Sequence, residues 1–405
     1  MTGPLAGVTV ADFTWVGAGP YATRVLAAHG ATVIKIESSS RLDALRLIPP
    51  FAGGVPGIER SGYFAERNYN KQSLTLNLTD PQGVELALGV IAKSDVVTNS
   101  FSAGTMERLG LGYERAVEVR PDVIYVSMPM QGASGPHRSH IGYGSTIAAL
   151  IGLLECGGLD GRDPLGTGTN YPDHVANPAH AAFAILAALR HRRRTGRGQY
   201  VEIAQTEAPT SAIAPILMES WAHETRHRMV GNADGEGAPR GAFPCLGDDS
   251  WCVIDVRNDD QWRRLTDAME LPQLKEDPRF IDSSARLDHA DELNRVVATW
   301  TSQHTAEDVA GRLQASGVPA AAVETAADVV DKDVQLAHRG HWIYLDHAEM
   351  GRTVYSNLPY RLSQTPQMVD RPAPMLGEHT RGIAQQLLGL SDVEITELVE
   401  GGVLS

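Results

Sequence analysis

The sequence is poor in cysteine, short of positive charge and without a long apolar run, and each shortage removes a class of function. Its three cysteines, Cys156, Cys245 and Cys252, include no Cys-x-x-Cys pair. Neither a disulfide framework nor a thiolate zinc site is therefore expected, and reduced buried thiols are the default. Against 49 acidic residues stand only 35 lysines and arginines, a formal net charge of -14 that repels phosphate backbones, so nucleic acid is not expected as a partner. The stretch Ile147 to Leu154 is broken by Gly152 and ends at Glu155, far short of the roughly 20 residues that cross a bilayer, so no membrane partner is expected. The start, Met-Thr-Gly-Pro-Leu, has no basic segment followed by an apolar one and reaches Asp12 early. That reads as a cytoplasmic protein without a presequence. Neither G-x-S-x-G nor H-E-x-x-H occurs, which leaves serine hydrolase and zincin readings without local support. Trp221, Trp251, Trp262, Trp300 and Trp342 stand apart and read as core or interface anchors rather than a stacking platform.

What remains is an ordinary globular composition, 42% hydrophobic and 21% charged over 405 residues, long enough for roughly two to three domains. Residues 7–13 pattern as a strand, Pro20 to Ala28 as a helix, and the continuous β-branched run Ala31-Thr-Val-Ile-Lys-Ile-Glu37 as a buried parallel strand. The alternation continues, with strands expected over 73–78, 95–98 and 122–128 and helices over 81–93 and 114–120. This predicts an α/β fold with a doubly wound, Rossmann-like large domain. A long Ala-rich helix follows from about Pro172 and ends in Arg190-His-Arg-Arg-Arg194 before Gly196, where cations complement the helix dipole. The glycine-rich segment 231–241 reads as a mobile loop, and 225–320 as a smaller α+β domain. Residues 1–200 with 377–405 then form the large domain, 201–224 and the proline-bearing 321–376 being linkers. Ser391-Asp-Val-Glu394 is a capping box opening a C-terminal helix.

Gly17-Ala-Gly19-Pro-Tyr-Ala22 matches G-x-G-x-x-A between a strand and a helix, with Glu37 ending the next strand. Two readings stay open. One is an NAD-dependent oxidoreductase with pyrophosphate on the helix N-terminus and Glu37 on a ribose; the other is a tight β-α turn of any doubly wound fold, and Pro20 removes one N–H that a pyrophosphate would use. Asp173, Asn177 and His180 share one helical face, yet no further strong ligand is near in sequence, and no metal is expected.

A whole-chain resemblance adds to this reading. Pro4-Leu-Ala-Gly-Val-Thr-Val-Ala-Asp-Phe-Thr14, Gly30-Ala-Thr-Val-Ile-Lys-Ile-Glu37, Asn70-Lys-Gln-Ser73, Gly104-Thr-Met-Glu-Arg-Leu-Gly110, Thr195-Gly-Arg-Gly-Gln199 and Ala373-Pro-Met-Leu-Gly-Glu-His-Thr380 occur in that order. The sequence thereby resembles the class III CoA-transferases, which include formyl-CoA transferase, carnitine CoA-transferase and, as a sister branch, alpha-methylacyl-CoA racemase. The resemblance implies that coenzyme A or an acyl-CoA is the substrate, that no cofactor is tightly bound, and that two subunits interlock as rings in a homodimer, or a heteromer with a homologous chain.

It also implies site residues. Asp173, in Tyr171-Pro-Asp-His-Val-Ala-Asn-Pro-Ala-His180, lies where the family places a nucleophilic aspartate, although position alone fits an N-cap. Carried over position by position, CoA contacts fall on Trp15, Val16 and Gly17, on Leu76 to Thr79 beside the adenine, on Ser100 and Phe101, on Arg108 for phosphate, and on His140 to Tyr143. The chain departs from the family in three places. Gly17 stands where a glutamine often serves the oxyanion, so backbone N–H groups or another side chain must do so. Ser100 replaces an asparagine, and Ser38 an arginine, for which Arg41 or Arg46 would substitute. The segment 231–241 resembles the glycine-rich loop that covers the thioester in some members. Racemases need a histidine at the position of Tyr143, which makes CoA transfer, with succinyl-CoA a candidate donor, the expected reaction and 2-methylacyl-CoA racemisation through His140 the alternative.

Overall fold

The computed structural model describes residues 3–159, 161–224, 231–232 and 235–405. The chain forms two compact units, one of Met1–Leu154, Gly166–His227 and Ala337–Ser405, the other of Glu155–Leu165 and Arg228–Leu336.

The first unit is built on six parallel strands, β1 (Thr9–Asp12), β2 (Thr32–Glu37), β3 (Gln72–Thr75), β4 (Val96–Asn99), β5 (Ile124–Ser127) and β6 (Gln199–Glu202), in the order β3-β2-β1-β4-β5-β6. Period-two alternation decides which residue faces which layer. Val10, Val33, Val96, Ile124 and Val126 pack in one cluster with Ala22 and Leu26 of α1 (Ala18–Ala28). Their neighbours Ala11, Ile34, Val97 and Tyr125 pack on the opposite face with Ala87, Leu88 and Ile91 of α3 (Pro81–Ala92). Between these helices in sequence lies α2 (Gly62–Asn68), and α4 (Thr105–Arg108), α5 (Tyr113–Val119), α6 (Gly144–Leu150) and α7 (Asn177–Thr195) follow. Ala181, Ile185 and Ala188 of α7 complete the layer over α1. The capping box at Ser391 and Glu394 forms as the sequence predicts, opening the helix Asp392–Glu400, whose Ile395 enters the α3 layer.

In the second unit β7 (Arg240–Pro244), β8 (Trp251–Asp255) and β9 (Ala320–Ala322) form an antiparallel sheet. Its core joins Cys252 and Ile254 to Trp262, Phe280, Leu293, Val297 and Val309.

The two units differ from the expected segmentation. Residues 155–165 fall with the second unit, and 201–224 fall with the first, where they carry the helix Ala214–His223. The expected extended connection over 321–376 holds two short helices and an antiparallel hairpin, β10 (Trp342–His347) and β11 (Gly351–Ser356). Tyr355 and Leu358 pack into a buried cluster with Phe64, Ala65 and Tyr69 of the first unit. The prolines that suggested a linker fall after the hairpin, from Pro359 onward. Of the expected mobile loop 231–241, residues 233–234 lie outside the described residues, and Arg240 and Gly241 already belong to β7.

Candidate active site

The strand order reverses direction between β1 and β4, and a parallel open sheet presents its ligand crevice beyond the carboxyl ends of the strands at such a point. The two connections that leave β1 and β4 hold each other there. The Ser100 hydroxyl accepts the Trp15 N–H at 3.0 Å and donates to the Trp15 carbonyl at 3.1 Å. The Trp15 and Phe101 rings meet edge to face, 5.3 Å between centroids. Beside them opens a cavity of about 500 Å³.

Its walls bring together most of the residues named from the sequence: Trp15, Val16, Gly17, Ser100, Phe101, His140, Tyr143 and Asp173. Three are elsewhere. Leu76 is fully buried in the α3 layer, so its side chain offers nothing to a ligand. Thr79 is bonded to Asn77 Oδ1 at 2.6 Å, and the exposed Arg108 donates to Thr105 Oγ1 at 2.8 Å; neither is on the cavity wall. Of the two substitute cations, Arg46 is buried against Glu37, whereas Arg41 lines the cavity with its guanidinium 5.8 Å from the Trp15 ring. Alternation in sequence could not separate these arginines, because burial of the first follows from a partner in another element.

The Arg46 contact also removes the dinucleotide reading. Glu37 is 2% exposed, and its two carboxylate oxygens accept from Arg46 Nε and Nη2, each at 2.9 Å. Arg46 in turn reaches Glu59. The carboxylate expected to meet a ribose is thus engaged inside the protein.

Asp173 is not a helix cap. It lies within a π-helical turn, Pro172–Ala176, that runs directly into α7, and caps no N–H of that helix. Its Oδ2 instead accepts the N–H of Gly144, the first residue of α6, at 3.0 Å. The residue is 4% exposed, and burial pushes its carboxyl up to about 6, against the opposing pull of the Gly144 N–H and the Arg67 charge. Two glycines make this position possible. A β-carbon on Gly17 would lie 2.8 Å from Asp173 Cβ, and one on Gly144 2.7 Å from Asp173 Oδ2. The carboxylate therefore meets main chain from the starts of α1 and α6.

The neighbour of Asp173 faces a different space. His174, with Tyr63, Ser145, Thr169 and Asn170, lines a second cavity of about 420 Å³. One ring nitrogen of His174 is bonded to the Tyr63 hydroxyl and the other to Thr169 Oγ1. Burial, reinforced by the nearby Arg67 charge, pulls this imidazole down to about 4, so it is neutral at physiological pH. Arg67 is itself nearly buried, 4.5 Å from the Tyr21 ring centroid and 5.6 Å from that of Tyr63. Sequence reading missed this cluster: Tyr63 and Arg67 come from α2, and only the fold brings them beside residues 173 and 174. Lower on the same helix, His180 Nδ1 bonds the Ala176 carbonyl at 2.9 Å and Asn177 is fully buried. Among the described residues no group of three metal-ligating side chains occurs, and no helix is long and apolar enough to cross a membrane.

Comparison with known proteins fixes the family. A profile described as CoA-transferase family III matches residues 5–380. The chain belongs to CoA-transferase family III. It is 31% identical over 398 residues to the succinyl-CoA--L-malate CoA-transferase beta subunit of Chloroflexus aurantiacus, covering 98% of this chain and 96% of that protein. It is 32% identical over 409 residues to the protein named Probable CoA-transferase Rv1866 of Mycobacterium tuberculosis, covering 99% of this chain but spanning only 50% of the length of that relative. Among solved structures, that of a CAIB/BAIF family protein from Brucella suis superposes with a TM-score of 0.87 at 30% identity, over 96% of this chain and 100% of the other. A desolvated carboxylate on a cavity wall, with the Gly144 N–H beside it, has the chemistry of a nucleophile.

Proposed function

We propose that this family III protein transfers CoA from an acyl-CoA to a carboxylic acid, with Asp173 as the nucleophile. The observation that carries the reading is the placement of a buried carboxylate, held through Oδ2 by the Gly144 N–H, on the wall of the cavity at the strand-order reversal.

Asp173 attacks the thioester carbonyl, the C–S bond breaks, and CoA leaves as the thiolate, so that an aspartyl-acyl anhydride remains. The thiolate then attacks Asp173 Cγ, releasing the donor carboxylate and leaving an aspartyl-CoA thioester. The acceptor carboxylate attacks that thioester, forming a second anhydride and freeing CoA, which attacks the acceptor acyl carbon and restores Asp173. Each tetrahedral intermediate carries an oxyanion, and the Gly144 N–H, which already donates to Asp173 Oδ2, is the main-chain donor at hand to receive it. The 500 Å³ cavity takes the thioester end of CoA between Trp15, Val16, Ser100, Phe101, His140 and Tyr143, with Arg41 on its wall serving the phosphates. The second cavity, beside His174 and Tyr63, takes the acceptor acid. Succinyl-CoA is the donor to try first, since the name of the Chloroflexus relative gives it.

Exposed apolar residues support an assembly of two chains. Phe183 is 74% exposed, Trp221 77% and Met218 60%, more large apolar surface than a lone subunit needs to show. We read this as the surface of an interlocked dimer, and light scattering with native mass analysis distinguishes a homodimer from a chain awaiting a partner. For the reaction, CoA exchange between succinyl-CoA and a panel of labelled acids should disappear in D173A; exchange at an undiminished rate would remove Asp173 from the mechanism. A second reading, racemisation, draws on His140, which lines the same cavity as Asp173. Deuterium entering the α-carbon of a 2-methylacyl-CoA in heavy water, without transfer to any acid, would favour it.

A further inference from the structure

Val16 has φ of 65°, in the left-handed region. Of the five described non-glycine residues with positive φ, Val16, Asn70, Glu224, Asp249 and Glu270, it alone is β-branched. Such a residue sits there only when its surroundings hold it. The holder is visible. Asp43 Oδ1 accepts the Val16 N–H at 3.0 Å, and its Oδ2 accepts Lys35 Nζ at 2.9 Å. Lys35 Nζ also donates to the Thr14 carbonyl at 2.9 Å. The Lys35 and Asp43 side chains are both fully buried. A single ion pair therefore grips the main chain on either side of Trp15, one partner at residue 14 and the other at residue 16.

Trp15 and Val16 line the cavity wall, and the next residue along is Gly17, whose missing β-carbon leaves room for Asp173. We propose that Asp43 is a positioning residue: by fixing Val16 in the left-handed conformation it sets the wall that receives acyl-CoA and seats Gly17 against Asp173. The proposal rests on the CoA-transferase reading of the cavity.

The test is the affinity for CoA, by calorimetry, of wild type, D43A, V16P, V16G and the double variant V16G/D43A, each checked for folding by circular dichroism and melting. D43A removes the acceptor, whereas V16P forces φ negative and deletes the N–H without disturbing the buried pair. Both should weaken CoA binding and raise the KM for acyl-CoA by about tenfold or more. Glycine adopts positive φ unaided, so V16G/D43A should bind within about threefold of V16G. If V16P binds CoA as wild type does, or if a folded D43A is not rescued by V16G, the proposal falls; should D43A not fold, V16P alone decides. Labelling of wild-type Asp173 by acyl-CoA is followed in parallel, so loss of the nucleophile assignment would be seen separately, leaving the binding comparison intact.

Discussion

A β-carbon on Gly17 would stand 2.8 Å from Asp173 Cβ, closer than unbonded carbons approach, so only glycine fits at residue 17 with Asp173 in its present position. Gly17 has φ of -88°, so alanine meets no backbone strain and its effect is steric alone. G17A should keep the fold at a cost of about 1–3 kcal/mol and lose roughly a hundredfold in CoA exchange as Asp173 is displaced. G144A, whose β-carbon would fall 2.7 Å from Oδ2, should act in the same direction. Exchange at wild-type rate in both variants would show that Asp173 does not need its present seat.

The carboxyl of Asp173, pushed up to about 6 by burial, gives the reaction an acid limb. A nucleophilic carboxylate must be ionised, so kcat/KM should rise as pH increases through about 6 and level above it. A pH profile of kcat/KM flat from 5 to 8, as rough limits, would contradict this.

The same shift has a stability sign. A carboxyl whose folded pKa exceeds its unfolded value of 3.8 binds more protons when folded, so stability falls as pH rises from 3.8 towards 6. The full effect is roughly 3 kcal/mol by 1.36 kcal/mol per pKa unit. D173N escapes it. Melting measured against pH should show the variant gaining on wild type between about pH 4 and 7, and parallel curves would deny the shift.

His174 works in the opposite sense. Its folded pKa lies near 4, below the ordinary 6.5, so stability contributed by keeping it neutral is lost as pH falls through that window. H174Q should flatten this loss. In the transferase reading Y63F, which removes the hydroxyl bonded to His174, should raise KM for the acceptor acid several-fold with little change in KM for the donor. Equal effects on both substrates would place the second cavity outside acceptor binding.

Glu37 provides a check on the discarded dinucleotide reading. E37A leaves Arg46 buried without its bidentate partner and should cost about 3–5 kcal/mol, a large loss in urea melts. NAD should bind neither wild type nor variant; saturable NAD binding to wild type that E37A abolishes would restore the oxidoreductase.

The inner strands of the sheet were legible because they alternate between two buried layers, as Val10 and Ala11 or Val96 and Val97 do. The order of the strands and the hairpin over Trp342–Ser356 were less so, because pairing depends on partners distant in sequence. Within the site, Asp173 and the β1 and β4 connections were marked by motif residues. The burial of the Leu76 side chain was not legible, because main-chain position within a block says nothing about which way a side chain faces. The Asp43 grip on Val16, the seat at Gly144 and the Tyr63–His174 contact left no local signal, since each joins segments that only the fold brings together.

A nucleophilic Asp173 becomes covalently acylated during turnover. Intact-mass analysis after incubation with succinyl-CoA, trapped with hydroxylamine or borohydride and mapped by peptide, tests it most directly. Modification of Asp173 that D173A lacks and that free acceptor acid discharges is the expected result. Complete CoA exchange between succinyl-CoA and an acid with the label on any other residue, or undiminished in D173A, would contradict it.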